Sequence, residues 1–214
     1  MSAGISVIGI ITSAFGILKE KPIRLWGLSL MSSLLMFLIG IFAILPIISI
    51  PVTLVLSVGM ASVFLDGYRG KEVDSNQLFT GFKSFWKTAG GMGWMFLWMI
   101  IWSGVPIANI IKIYSYRFVP YILLENDADV TATDALKLSM SMTKGYRGKM
   151  FLTDLLVSVV IMILAGLITF AMSTGIMVLA VLLVIVYMVV LIFVPLIVGL
   201  IGAAYFDEIN KIYK

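Results

Sequence analysis

Long apolar runs, separated by short polar stretches, recur along the chain. Six of them are long enough to be read as helices crossing roughly 30 Å of hydrocarbon: residues 23–45, 48–65, 90–105, 107–124, 150–171 and 176–206. The polar stretches between them also have a helical pattern. In 74–87, Leu78, Phe79, Phe82, Phe85 and Trp86 recur at helical spacing beside Lys83 and Lys87, behind a capping Asp74 or Ser75. In 131–144, Thr131 and Asp134 form a capping box before a second amphipathic turn. Residues 3–18 are apolar but short, with Ser6, Gly9, Ser13 and Gly16 on one side and Ile5, Ile8, Ile11, Phe15 and Leu18 on another. They read as a third helix lying on the membrane surface; the alternative is a short extra span.

The pattern therefore predicts an all-α, polytopic membrane helix bundle occupying residues 1–214 as one domain, with about six transmembrane helices and three interfacial helices. The order of elements suggests three units, each an interfacial helix followed by a two-span hairpin. Residues 88–97 (TAGGMGWMFL) and 143–152 (TKGYRGKMFL) share Thr, Gly, Gly, Met, Phe and Leu in register. Such repeats occur in transporters and in membrane proteins that move nothing.

Composition agrees with this reading. The chain is 61% hydrophobic and 12% charged, against roughly 25% charged in soluble domains. The net charge of +4 is not read as nucleic-acid binding. Every Lys and Arg except Lys112 and Arg117 lies in the N-terminal region, 66–87, 125–149 or the C-terminus, and the turns at 46–51, 103–109 and 172–175 carry no charge. The positive-inside rule puts both termini in the cytoplasm of a multi-pass cell-membrane protein. Without Cys or His, thiol chemistry, disulfides, haem ligation by His and the usual zinc sites are excluded. No cofactor or metal is expected.

Lys112 and Arg117 are the sharpest features, because charge at membrane depth is costly and points to an interior or a wet cavity. Asp154 lies a few residues inside the fifth span, at a depth that Arg117 reaches. An Arg117–Asp154 pair is expected, with Tyr116 and Tyr121 one turn from Lys112 and Arg117. The candidate intramembrane polar site is Lys112, Tyr116, Arg117 and Asp154. The competing reading has both basic residues snorkelling to opposite interfaces. Lys83, Lys87, Lys144, Arg147 and Lys149 are candidate contacts to lipid headgroups. Glu125, Asp127 and Asp129 begin like a calcium loop but lack its central Gly and final Glu, so they read as a solvated loop. Asp207 and Glu208 are adjacent on a helix and cannot face each other as a catalytic pair. The fourteen Met residues are apolar filler. No catalytic constellation stands out, and a non-enzymatic protein is expected.

The stretch 114–151 resembles a prokaryotic membrane family described as domain of unknown function 975. The resemblance rests on Tyr114, Tyr116, Asn126, Asp127, Ser139, Gly145, Lys149 and Phe151. Gly70, residues 78–82 and residues 203–208 extend it. Residues 18–22 are similar to the related membrane domain attached to some glycerophosphodiester phosphodiesterases. The resemblance implies a membrane-embedded helical domain without catalytic residues of its own, and it supplies no substrate. Two functions follow as expectations. One is transport of, or protection from, a lipid, peptide or other amphiphile. The other is a structural or accessory subunit, with membrane lipids and a membrane protein or second copy as partners and no nucleic acid.

Overall fold

A computed structural model describes residues 5–20, 22–41, 46–125 and 130–213, and among these residues all regular structure is helical. In chain order the elements are α1 (Val7–Glu20), α2 (Pro22–Ile41), α3 (Pro46–Tyr68), a 3-10 helix (Ser75–Ser84), α4 (Phe85–Ser103), α5 (Pro106–Tyr116), α6 (Val119–Glu125), α7 (Ala132–Met142), α8 (Arg147–Ser173) and α9 (Met177–Tyr213). The expected Lys21, Asn126, Asp127 and Asp129 features lie outside the described residues.

The six expected spans are corrected. Three helices are long and apolar enough to cross a membrane: Ser49–Tyr68, Arg147–Ser173 and Met177–Tyr213. A fourth is added if Val7–Lys19 and Arg24–Ile39, bent by 98°, form one broken span. The expected 90–105 span sits in α4, where Lys87, three glycines and four tryptophans dilute the apolar content. The expected 107–124 span is interrupted at Arg117 and Phe118. Pro120 explains the break. It has no N–H to donate, and in a continuous helix its ring would meet the carbonyl four residues back. The remaining α5 has 11 residues, about 16 Å of helix, half a hydrocarbon core.

Two further boundaries differ. Pro51 was expected to mark a turn, yet it lies inside α3, which begins at Pro46. Pro51 is the sixth residue of α3, past the first turn, so the helix runs through it with one backbone hydrogen bond fewer. Segment 74–87 is a 3-10 helix joined to the start of α4 rather than a free surface helix. Its Asp74 forms a reciprocal capping box with Gln77, and Leu78 is fully buried against α3. Gly59 makes that packing possible, since a Cβ there would lie 1.8 Å from the Leu78 carbonyl oxygen.

The short elements alternate with pairs of longer helices. Each short element packs on the pair that precedes it: the 3-10 helix on α3, α7 on α4, and α1 on α9, which closes the arrangement. The two similar decapeptides do not share a backbone. Residues 88–97 lie within α4, whereas 143–146 form a turn that needs Gly145 at φ +89°. Both threonines, Thr88 and Thr143, are nonetheless buried.

The packed core sits at one end of the bundle. Phe118 and Tyr121 meet Phe206 at 5.4 and 4.8 Å between ring centroids. Leu25, Leu56, Met150, Leu200 and Ile201 are buried around them. The middle of the α8–α9 hairpin is different: Met162, Phe170, Val178 and Val181 are mostly exposed. An apolar surface of this extent belongs in lipid. Among the described residues the protein is all-helical, with three helices long and apolar enough to cross a membrane.

Candidate functional site

The α5–α6 break would leave backbone groups without partners in a low-dielectric setting. The α7 helix supplies them. Thr131 caps its start by accepting from the Asp134 amide at 3.2 Å. Two turns later, buried Ser139 accepts from the Phe118 amide at 3.2 Å and donates to the Ser115 carbonyl at 2.7 Å. Thr143 donates to the Ser139 carbonyl at 2.8 Å. The break is thus a held feature, with Lys112 on α5 before it and Arg117 at it.

Arg117 stands at the break. Its Nη1 lies 2.7 Å from Asp154 Oδ2 on α8, the pair that the sequence suggests. The guanidinium also lies over the Tyr114 ring at 5.9 Å. The small Gly202 on α9 leaves room for Arg117 and Tyr121 beside it. Next to Asp154, Thr153 shares a 2.7 Å hydrogen bond with Tyr205. Asp154 Oδ1 is buried and has no partner.

Lys112 belongs to a separate cluster. Its ammonium lies 4.8 Å from the Trp102 ring centroid and 5.4 Å from that of Tyr116. Its ammonium also lies 3.5 Å from the Met140 sulfur. Among the described residues no carboxylate pairs with it. The Trp102 Nε1 donor and the Asn109 Oδ1 acceptor are both buried without partners. The structure therefore brings Lys112 to Tyr116 and Arg117 to Asp154, and it divides the expected four-residue site into two halves.

The expected headgroup residues also divide. Lys83 and Lys144 are exposed, and Lys87 is half-buried. Arg147 turns back into the fold, with Nη2 2.8 Å from the Met140 carbonyl. Lys149 donates to the Ile5 carbonyl at 2.9 Å and lies over the Tyr146 ring, so it ties the start of the chain to α8.

Sequence reasoning missed a charged network where α3, α6 and α9 end. Arg69 Nη2 meets Glu125 Oε1 at 2.6 Å, and its Nε meets Asp207 Oδ1 at 2.7 Å. Lys211 bridges Asp207 and Glu208 at 2.8 and 3.0 Å. Asn210 donates to Glu125 Oε2 at 3.0 Å. Burial alone would lower the Arg69 pKa, but the hydrogen bonds it donates to Asp207 and Glu125 outweigh that and hold the guanidinium above its usual value. Adjacent Asp207 and Glu208, expected to diverge, both reach the Lys211 ammonium; Asp207 turns inward because it follows the buried run 203–206. That position on an apolar helical face was the available signal.

Beside this network lies an open cavity of about 610 Å³, which shares Ser13, Tyr68 and Glu208 with a second of about 360 Å³. The small residues of α1, Ser6, Gly9, Ser13 and Gly16, form its wall. The small-residue side of α1 thus faces a groove. On the other flank of α1, Ile11 and Phe15 line an apolar pocket of about 220 Å³ against α8 and α9. Among the described residues no group of His, Cys, Asp and Glu could hold a metal ion. Against family models, curated proteins and solved structures, the chain finds no match.

Proposed function

We propose that this is a non-enzymatic membrane protein that handles an amphiphile, either moving it or protecting the cell from it. The observation that carries this reading is Lys112: an ammonium seated between the Trp102 and Tyr116 rings, without a carboxylate among the described residues, beside a buried and unpartnered Trp102 N–H. A cation in an apolar helix needs a counter-charge. The exposed Ile107, Ile110, Ile111 and Ile113 on the same helix supply an apolar surface for a chain. An amphiphile with an anionic end satisfies both. The charge distribution supports cytoplasmic termini and a multi-pass topology in the cell membrane, and the resemblance to the membrane family supports a domain without catalysis.

The test uses the full chain in nanodiscs of phosphatidylcholine. Dansyl-labelled phosphatidylglycerol is titrated in, and energy transfer from tryptophan is measured. Saturable transfer is expected for the wild type and for Lys112→Arg, with loss of saturation in Lys112→Ala. If Lys112→Ala binds like the wild type, the reading fails.

A second reading, an accessory subunit, is supported by the exposed apolar surface of the α8–α9 hairpin. It is tested by co-purification. A stable second copy or membrane partner released by polar substitutions at Met162 and Val181 supports it, and a monomer without partners counts against it.

A further inference from the structure

We propose that the ligand of the Lys112 cluster is an anion with a hydroxyl a few bonds away, as in a glycerol phosphodiester. This rests on the reading of Lys112 given above and adds the chemistry that the ligand carries beside its charge.

An anion alone leaves the cluster incomplete. Lys112 and the Trp102 N–H are both donors, and a single phosphodiester group satisfies the two. Asn109 is different. It precedes Lys112 by three residues on α5, so the two share a face, about 5 Å apart. Its Oδ1 is buried and has no hydrogen-bond partner among the described residues. An acceptor in that position calls for a donor, and an ionised phosphodiester or carboxylate has none.

The described residues do not supply that donor. A donor and an acceptor left over in one cluster would satisfy each other if they met, yet Trp102 Nε1 and Asn109 Oδ1 both stay without partners. The Lys112 ammonium goes instead to two rings and to the neutral Met140 sulfur. Buried polar atoms are nearly always paired. Here two orphans, at the end of α4 and near the start of α5, flank the turn at 104–105 and point to a group from outside. Trp102, Asn109 and Lys112 each keep part of their surface exposed, which gives such a group a way in. Its phosphate takes the Lys112 and Trp102 donors, its hydroxyl donates to Asn109, and its tail follows the exposed isoleucines of α5.

The full chain in detergent is titrated by calorimetry with three probes. They are dihexanoyl phosphatidylglycerol, dihexanoyl phosphatidylethanol (an equally charged phosphodiester without headgroup hydroxyls) and sn-glycerol 1-phosphate. The wild type is expected to bind phosphatidylglycerol about fivefold more tightly than phosphatidylethanol, the worth of one hydrogen bond. Asn109→Leu erases that preference and leaves phosphatidylethanol binding unmoved. Trp102→Phe keeps a ring beside Lys112, loses the N–H and weakens both lipids alike. Each variant deletes a polar atom that has no partner, so thermal stability is retained; a fall in both would reveal partners within the protein and overturn the proposal. Glycerol phosphate binding with the same Asn109 dependence identifies the free headgroup as the ligand, and binding of the lipid alone identifies a membrane lipid. Equal wild-type affinities for the two lipids, lost in Lys112→Ala but unmoved by Asn109→Leu, overturn this inference and leave the reading of Lys112 standing. Lipid binding that Lys112→Ala does not change, or none by the wild type, overturns both.

Discussion

Ser139 Oγ holds the Phe118 amide at 3.2 Å across a break in the neighbouring helix. One side chain thereby replaces a bond that Pro120 prevents the helix from carrying onward. Ser139 is fully buried, so water cannot take its place. Ser139→Ala is expected to destabilise the protein by about 1–3 kcal/mol, the cost of leaving buried polar groups unpaired. Thermal unfolding in detergent checks this, with exposed Ser141→Ala as the silent control.

The Arg117–Asp154 pair is accessible at 14% and 28% of its side chains. It should contribute less than a fully buried pair, roughly 1–2 kcal/mol. Asp154→Asn and Arg117→Met each strand one partner. The double variant should therefore lie closer to the wild type than the sum of the two. A double-mutant cycle on unfolding free energies measures the coupling, and simple additivity would mean that the contact contributes nothing.

Two glycines are expected to respond in opposite directions. Gly59→Ala drives a Cβ into the Leu78 carbonyl oxygen at 1.8 Å, backbone that has little room to shift. The 3-10 helix should detach from α3, with protease cleavage appearing in 71–87. Gly16→Ala meets no atom within 4 Å in the middle of α1, so it should stabilise that helix by about 0.5–1 kcal/mol. Limited proteolysis and the unfolding midpoint separate the two outcomes.

Asp74 caps the 3-10 helix, and its pKa is held below the usual 3.8, first by the Ser75 amide and then by the Asn76 side chain. A carboxylate with a depressed folded pKa contributes stability that is complete above its unfolded pKa and is lost as pH falls through the folded one. Exchange of the Gln77 amide, which bonds the Asp74 carbonyl at 3.0 Å, should accelerate below about pH 4. Asp74→Asn should remove that acid step. A step that persists in the variant would assign it to another group.

Much of the class was legible in the sequence, and the reasons are local. Apolar run length identifies a membrane helix without knowledge of its neighbours, and Thr131 capping α7 is a contact three residues long. The Arg117–Asp154 pair could be anticipated because few charges lie at that depth and only some are of opposite sign. Span counting fared worse, because hydropathy averages over Pro120 and cannot register that α5 stops at Tyr116. The Arg69 network joins residues 138 and 56 positions apart, and no periodicity reports such distances. The small stripe on α1 was visible as a pattern, but whether it faced a helix or a groove depended on α3 and α9.

The packing of α1 on α9 places the earliest helix beside the latest. During synthesis α1 leaves the ribosome well before α9, and its apolar Ile10, Ala14 and Leu18 have no final seat until residues near 205 arrive. Contacts so distant along the chain form late. The short helix therefore takes its seat on α9 only after nearly two hundred further residues have been made.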